Sequence, residues 1–244
     1  MRFLWRRPFD SLRAGCRLSR GRLALAVVDE TRHEMNVIQF ILQNRTEVVE
    51  LTLEHLWLVG VSTVLAVLIG IPLGILIARW PALNKPVLAS ANIIQTIPSL
   101  ALFGFLLPAP WIGARADRLA ILALLLYALL PLIRNTYTGI KGVDPAVVEA
   151  GRGMGMTANQ LLWQVQLPLA TGVIIAGVRV AVVISIGLAT IAAAIGAGGL
   201  GEYIFRGLAM VNNSVILAGA IPAAILALLA DVSLGWLEKR LSPR

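Results

Sequence analysis

Apolar residues fall in long runs along this chain, and polar residues fall in the short gaps between them. The first run, Leu56 to Ala78, carries no charge. At about 1.5 Å per residue it crosses a hydrocarbon core of about 30 Å with some tilt. Arg79, Trp80 and Lys85 close it with residue types that sit at a membrane–water interface. The second run, Pro86 to Trp111, is less apolar, with Asn92, Gln95, Thr96 and Ser99 inside it beside Pro98. The third, Leu119 to Ile133, is short and bracketed by Arg118 and Arg134, whose long side chains can reach outward to extend the span. After a polar insert, a fourth runs from Leu169 to Ala197, interrupted by Arg179, and a fifth from Val215 to Leu237, with Asp231 near its end. The pattern predicts an all-α membrane protein with five transmembrane helices, over about 56–78, 86–111, 119–133, 169–197 and 215–237. The runs are too long and too uniformly apolar for the alternating strands of a barrel.

Composition agrees. Hydrophobic residues make up 58% of the chain, charged residues 14%, and the mean hydropathy is +0.81. A water-soluble domain carries about 25% charged residues. The net charge of +8 would suggest nucleic acid in a soluble protein. Here the cations stand between apolar spans and act as topology signals, so no nucleic-acid partner is expected. Arg79 and Lys85 follow span one, Arg134, Lys141 and Arg152 follow span three, and Lys239, Arg240 and Arg244 form a tail over 238–244. Alternation puts all three regions on one side, the cytoplasm, with a cytoplasmic C-terminus. The segment before span one is then extracytoplasmic, and the Glu-rich stretch 35–54 reads as a lead-in helix there.

Residues 1–34 form a basic arm with eight arginines and four acids. Its longest apolar run, Leu23 to Val28, is shorter than the roughly 7–15 residues of a signal-peptide core. The arm is expected to be disordered or a short amphipathic segment, with Met35 as the start of the natural protein. Cys16 is the sole cysteine, which excludes an internal disulfide. His33 and His55 lack the spacing of a zinc site, and neither a metal nor a cofactor is expected.

The polar insert between spans three and four has readable punctuation. Asp144-Pro145 looks like an N-cap followed by proline at the first helical position. A short helix should begin at Pro145 and stop near Gly153 to Gly155. Thr157 then looks like the cap of a second short helix, Ala158 to Gln166, ended by Pro168. Two short helices joined by a glycine turn under a membrane bundle read as a docking element, or as a solvated connector. A carboxylate, small residues, and Met154 and Met156 expected at the surface suit docking.

The spacing of this insert carries a family resemblance. Glu149-Ala150-Gly151, three residues, Gly155, nine residues, then Val165-Gln166-Leu167-Pro168 resembles the EAA loop of the permease subunits of type I ABC importers. That loop carries the coupling helix that sits in a cleft of the cytoplasmic ATPase. Gly151 departs from the family's second alanine and should weaken the helix by roughly 1 kcal/mol. HLWLVGVSTVLAVLIGIPLGILIAR, IIQTIPSLALFGFLLP and GVRVAVVISIGLATIAAAIGAGGLGEYIFRGL extend the resemblance to the osmoprotectant branch, for glycine betaine, choline, carnitine or proline-betaine. It covers Asn36 to Leu237, with the type-1 transmembrane domain over 55–237. The resemblance implies the type I importer permease fold in a bacterial inner membrane. Its implied partners are two ABC ATPase subunits, a second permease copy or related permease, and an extracytoplasmic solute-binding protein. It also places Glu202, Tyr203 and Arg206 at an outer gate.

Other signals weigh less. Gly196-Ala-Gly198-Gly199-Leu-Gly201 satisfies G-x-G-x-x-G but follows a span rather than a strand, so it reads as a tight re-entrant turn. No Walker motif occurs, so any ATP hydrolysis belongs to a partner and the chain itself is not an enzyme. Asn92, Gln95 and Thr96 beside Pro98 either glue helices together or line the translocation path. Arg179 and Asp231 are too costly to leave alone in lipid and should pair or snorkel. A permease for another small solute, such as an amino acid, is the alternative. A gradient-driven carrier is the rival from another class, but such carriers show two related halves, and no repeat is visible here.

Overall fold

The computed structural model describes residues 37–108 and 115–242. The arm 1–34, with Cys16 and His33, lies outside them, as do the proposed start at Met35, Trp111 at the expected end of span two, and Arg244. Among the described residues the chain is helical, with no strand. In order it forms α1 (Val37–Gln43), α2 (Arg45–Arg79), α3 (Pro81–Thr96), α4 (Ser99–Leu106), α5 (Ala116–Lys141), α6 (Pro145–Gly153), α7 (Ala158–Ile195), α8 (Gly201–Met210) and α9 (Asn213–Leu241). Four of these, α2, α5, α7 and α9, are long and apolar enough to cross a membrane.

Where a second span is expected stands a bent pair, α3–α4, whose axes differ by 99°. The expected single helix over 86–111 is therefore two. Proline explains the break: Pro98 pushes Ile97 out of the helical region to φ −70°, ψ 127°, and α4 restarts with Pro98 at its N-cap. Upstream, Pro81 stands in the first turn of α3, where its missing N–H costs nothing.

Helix boundaries run past the apolar runs. The Glu-rich stretch before span one is not a separate lead-in. After the short α1 and a turn at Asn44, whose Nδ2 donates to the Phe40 carbonyl at 2.9 Å, it becomes the first turns of the 35-residue α2. Likewise α5 continues beyond Ile133 through Asn135, Thr136 and Thr138 to Lys141. Hydropathy marks where the bilayer ends, while a helix ends where its capping and packing do.

The bundle is built around α5. Of its apolar stretch 56% is buried, against 22% for α9, so α5 is the central post and α9 is peripheral. Leu124, Ala120 and Ala123 of α5 meet Leu58 of α2, Phe103 of α4, and Ile186 and Ala189 of α7 in the main core. Small residues let the neighbours approach. A Cβ on Gly74 of α2 would stand 2.5 Å from Thr136 Cβ, and one on Gly177 of α7 would stand 2.6 Å from Asn135 Cβ. With no water to expel between helices in lipid, such close backbone approach supplies the van der Waals contact that holds a bundle together. Trp57, Val64 and Leu68 of α2 and Leu228, Leu229 and Val232 of α9 remain exposed, as the outer faces of membrane helices should be.

This packing predicts unequal effects for two glycines of α2. Gly74→Ala forces Thr136 away and should cost about 1–3 kcal/mol. Gly60→Ala enters open space and should be neutral or stabilising by up to about 1 kcal/mol. Thermal melting of both variants in the same detergent checks the difference.

Candidate functional site

At one end of the bundle the polar insert forms a compact hook. Asp144 caps α6, its Oδ1 accepting the Ala146 N–H at 2.8 Å, with Pro145 in the first turn. Gly155 turns the chain at φ +84°, a left-handed geometry that L side chains resist. Thr157 then opens α7 through a capping box: its Oγ1 accepts the Gln160 N–H at 3.3 Å, and Gln160 Oε1 accepts the Thr157 N–H at 2.8 Å.

Three expectations for this hook need correction. The second insert helix does not stop at Pro168 but runs on into span four as α7. Residues Leu161–Gln166 are π-helical, and Leu167 N–H bonds to Leu162 O, five residues back. Widening that turn absorbs the donor that Pro168 lacks and the ring that would otherwise clash with the preceding turn. Met156, expected at the surface, is half-buried, and only Met154 is exposed, at 77%. Gly151 is buried, and a Cβ there would meet Leu161 Cδ1 at 2.7 Å and Met156 Sδ at 3.2 Å. Glycine at this position is thus a packing residue, not merely a weak helix former.

The hook therefore has two faces. Gly151, Met156 and Leu161 hold it to the bundle, while Glu149, Ala150 and Met154 face outward. Leu167 is half-buried and Pro168 exposed on the same stretch. Arg79, at the end of α2, donates to Asn159 Oδ1 at 2.5 Å and ties span one to the start of α7.

At the opposite end lies the glycine turn. Gly196, Gly198 and Gly199 all have positive φ, from 80° to 84°. Glu54 of α2 accepts the Gly199 N–H on Oε2 at 3.0 Å, and a Cβ on Gly198 would stand 2.5 Å from that oxygen. The turn delivers α8, whose Tyr203 is fully buried, with Phe40 edge-on at 5.6 Å. Arg206 lies over the Tyr203 ring at 5.3 Å and donates to Glu47 Oε1 at 2.8 Å, with Glu202 4.0 Å away. The Glu47 carboxylate holds the Arg206 guanidinium above its ordinary pKa. Glu202, Tyr203 and Arg206 thus come together, and Glu47 and Glu54 join them. Sequence reasoning missed those two. Their signal was the spacing i, i+7 on one helix face. Next to them His55 is completely buried, its Nε2 3.2 Å from the Ile186 carbonyl.

Between the ends, Asn92, Gln95 and Thr96 of the bent pair all bind protein. Gln95 Nε2 donates to Tyr127 O at 3.1 Å, Thr96 Oγ1 to Ile93 O at 2.7 Å, and Arg134 Nη2 to Asn92 Oδ1 at 3.1 Å. The Tyr127 hydroxyl donates to the Ile97 carbonyl beside Pro98. Arg179 and Asp231 form a bidentate pair, Nε–Oδ1 2.6 Å and Nη2–Oδ2 2.8 Å, with Glu238 at 3.4 Å, joining α7 to α9. Among the described residues no three potential metal ligands converge.

A bent helical bundle with an outward hook at one end and a pinned glycine turn at the other has close relatives. Residues 70–244 match the family model described as binding-protein-dependent transport system inner membrane component. The chain is 48% identical over 202 residues to the glycine betaine/carnitine/choline transport system permease protein OpuCD of Bacillus subtilis, covering 82% of this chain and 87% of that one. It is 46% identical to the carnitine transport permease protein OpuCD of Listeria monocytogenes, covering 85% and 92%. It is 44% identical to the osmoprotectant import permease protein OsmW of Salmonella typhimurium, covering 86% and 99%. The fold is similar to that of a chain in the inward-facing MetNI methionine ABC transporter, with a TM-score of 0.71 and 25% identity over 78% of this chain and 94% of that one. The chain belongs to the binding-protein-dependent transport system inner membrane components, the membrane permeases of ABC importers.

Proposed function

We propose that this permease passes a small quaternary ammonium solute, such as glycine betaine, choline or carnitine, into the cell, driven by two ATPase subunits docked on its hook. The observation that carries the docking role is the two-faced geometry of α6: Gly151 is anchored to the bundle while Glu149, Ala150 and Met154 face outward. The solute class rests on relatives at 44–48% identity whose names give those substrates or osmoprotectants. The cations Arg79, Lys141 and Arg152 support a cytoplasmic hook and a cytoplasmic C-terminus. The glycine turn and α8 then face outward, toward an extracytoplasmic solute-binding protein, with Glu202, Tyr203 and Arg206 in the gate. A second permease, the same chain or a related one, completes the path. Asn92, Gln95, Thr96 and Pro98 form its bent wall, where amide oxygens and aromatic faces suffice for a passing quaternary amine. Binding-protein docking and ATP-driven ATPase closure rock the pair between its two access states.

The test is uptake of labelled choline and glycine betaine in cells lacking other importers for them. Glu149→Lys reverses the outward charge and should lower uptake at least about tenfold, with normal protein in the membrane and less ATPase recovered with it. Gly155→Ala adds a Cβ that meets no neighbour, so its effect comes from left-handed backbone strain, and it should act in the same direction. Normal uptake and ATPase recovery in both variants would refute docking through the hook. Uptake of an amino acid instead, with the hook variants still defective, would overturn only the solute.

The Arg179–Asp231 pair plays a structural role in this reading. Arg179→Ala should reduce the amount of folded, assembled complex while uptake per assembled complex is preserved. Full assembly with abolished transport would assign the pair to the transport step instead.

A further inference from the structure

The hook and the ends of two spans enclose a cavity of about 500 Å³ that no step above uses. Arg79 at the end of α2, Lys141 at the end of α5 and Arg152 at the end of α6 line it, and no acidic residue does. None of the three cations has a salt bridge among the described residues. Arg79 is held at the rim by Asn159, which uses one guanidinium nitrogen and leaves the others free. Ile140 and Leu162, each 2% exposed, close the floor, and half-buried Met156 adds apolar surface beside them. Exposed Trp80 stands at the mouth, at the end of span one, where tryptophan marks the level of lipid headgroups.

Three unpaired cations around an apolar floor, at the depth where a span leaves the bilayer, match an anionic lipid. Such a ligand supplies a phosphate for the rim and a glycerol–acyl region for the floor. A free phosphate would use only the rim. Basic pockets between transmembrane helices are a known way of holding anionic headgroups. We infer that this cavity binds the phosphodiester headgroup of an anionic phospholipid, and that the bound lipid braces the C-terminal end of α6 against α2 and α5. The inference needs only that the hook end lies at a membrane surface, so it holds or fails apart from the solute and the ATPase docking proposed above.

Native mass spectrometry of the intact complex tests it, with phosphatidylglycerol and phosphatidylcholine offered in equal amounts. The wild type should retain phosphatidylglycerol preferentially. Lys141→Gln with Arg152→Gln should weaken that retention about thirtyfold, the loss of two charge-assisted contacts to the phosphate. Lys141→Arg with Arg152→Lys should keep it, which separates charge from misfolding. Lys239→Gln with Arg240→Gln removes equal charge from the C-terminal tail and should change retention less than about threefold. Equal losses in the two neutralised pairs would reduce the effect to diffuse attraction and overturn the site. So would retention unchanged in the pocket pair, displacement of the lipid by inorganic phosphate, or retention by the permease alone that disappears in the intact complex. The last result would give the cavity to the partner protein.

Discussion

Inside a bilayer every backbone N–H and C=O must find a partner in the protein, because lipid offers none. Three departures from α-helix among the described residues, near or within the spans, are each repaired. At Ile97–Pro98 the freed Ile97 carbonyl accepts from the Tyr127 hydroxyl, and Gln95 reaches back to the Tyr127 carbonyl. At the glycine turn the Gly199 N–H finds Glu54. At Pro168 the helix repairs itself by widening to five-residue bonding. The repairs at the bend and the turn come from α5 and α2, so the irregular parts are fastened to the two helices that also pack most closely on each other. A membrane protein can afford a bend or a turn only where such a neighbour stands ready.

That arrangement also couples the ends. The single helix α2 carries Glu47 and Glu54 at the glycine turn and Arg79 at the hook. Its middle is seated on α5 through Gly70 and Gly74, where there is no slack for sliding. A tilt of α2 relative to α7 must therefore disturb both the Gly199 and the Asn159 hydrogen bonds. Close-packed helices transmit displacement because their contacts are discrete rather than deformable. This makes α2 a mechanical link between the hook and the glycine turn.

Much of this was legible in the chain. Long apolar runs located the four long spans, and Asp144-Pro145, Gly155 and Thr157 punctuated the hook as the caps and turn they form. Proline was half legible: Pro98 announced a weak point, yet the 99° bend depends on Tyr127 and Gln95 holding it, and those partners lie about 30 residues apart in sequence. Pro168 was misleading, because a lone sequence favours helix termination over a π-helical turn, and only the continuity of packing into span four decides between them. Glu47 and Glu54 looked like surface charge in a lead-in segment. Their role depends on α8 folding back beside α2, a contact between residues more than 140 positions apart. Helix ends were read too short wherever polar residues continued a helix beyond the lipid, as Asn135 and Thr136 do in α5.

Gly151 shows how such a local rule and a tertiary contact trade off. By propensity alone a glycine in the middle of α6 costs about 1 kcal/mol relative to alanine. But α6 has nine residues, too few to be a stable helix by propensity in any case. Its order must come from its ends and its contacts: the Asp144 cap, the turn at Gly155, and the seat on Leu161 and Met156. At that seat a methyl group would fall 2.7 Å from Leu161 Cδ1, so an alanine there would recover helix propensity only by displacing the side chains it should rest on. Both are the ends of flexible side chains and can yield, which brings the two effects to similar size with opposite sign. Gly151 therefore sets how closely α6 sits on α7, and with it the distance through which any push on Glu149 reaches span four.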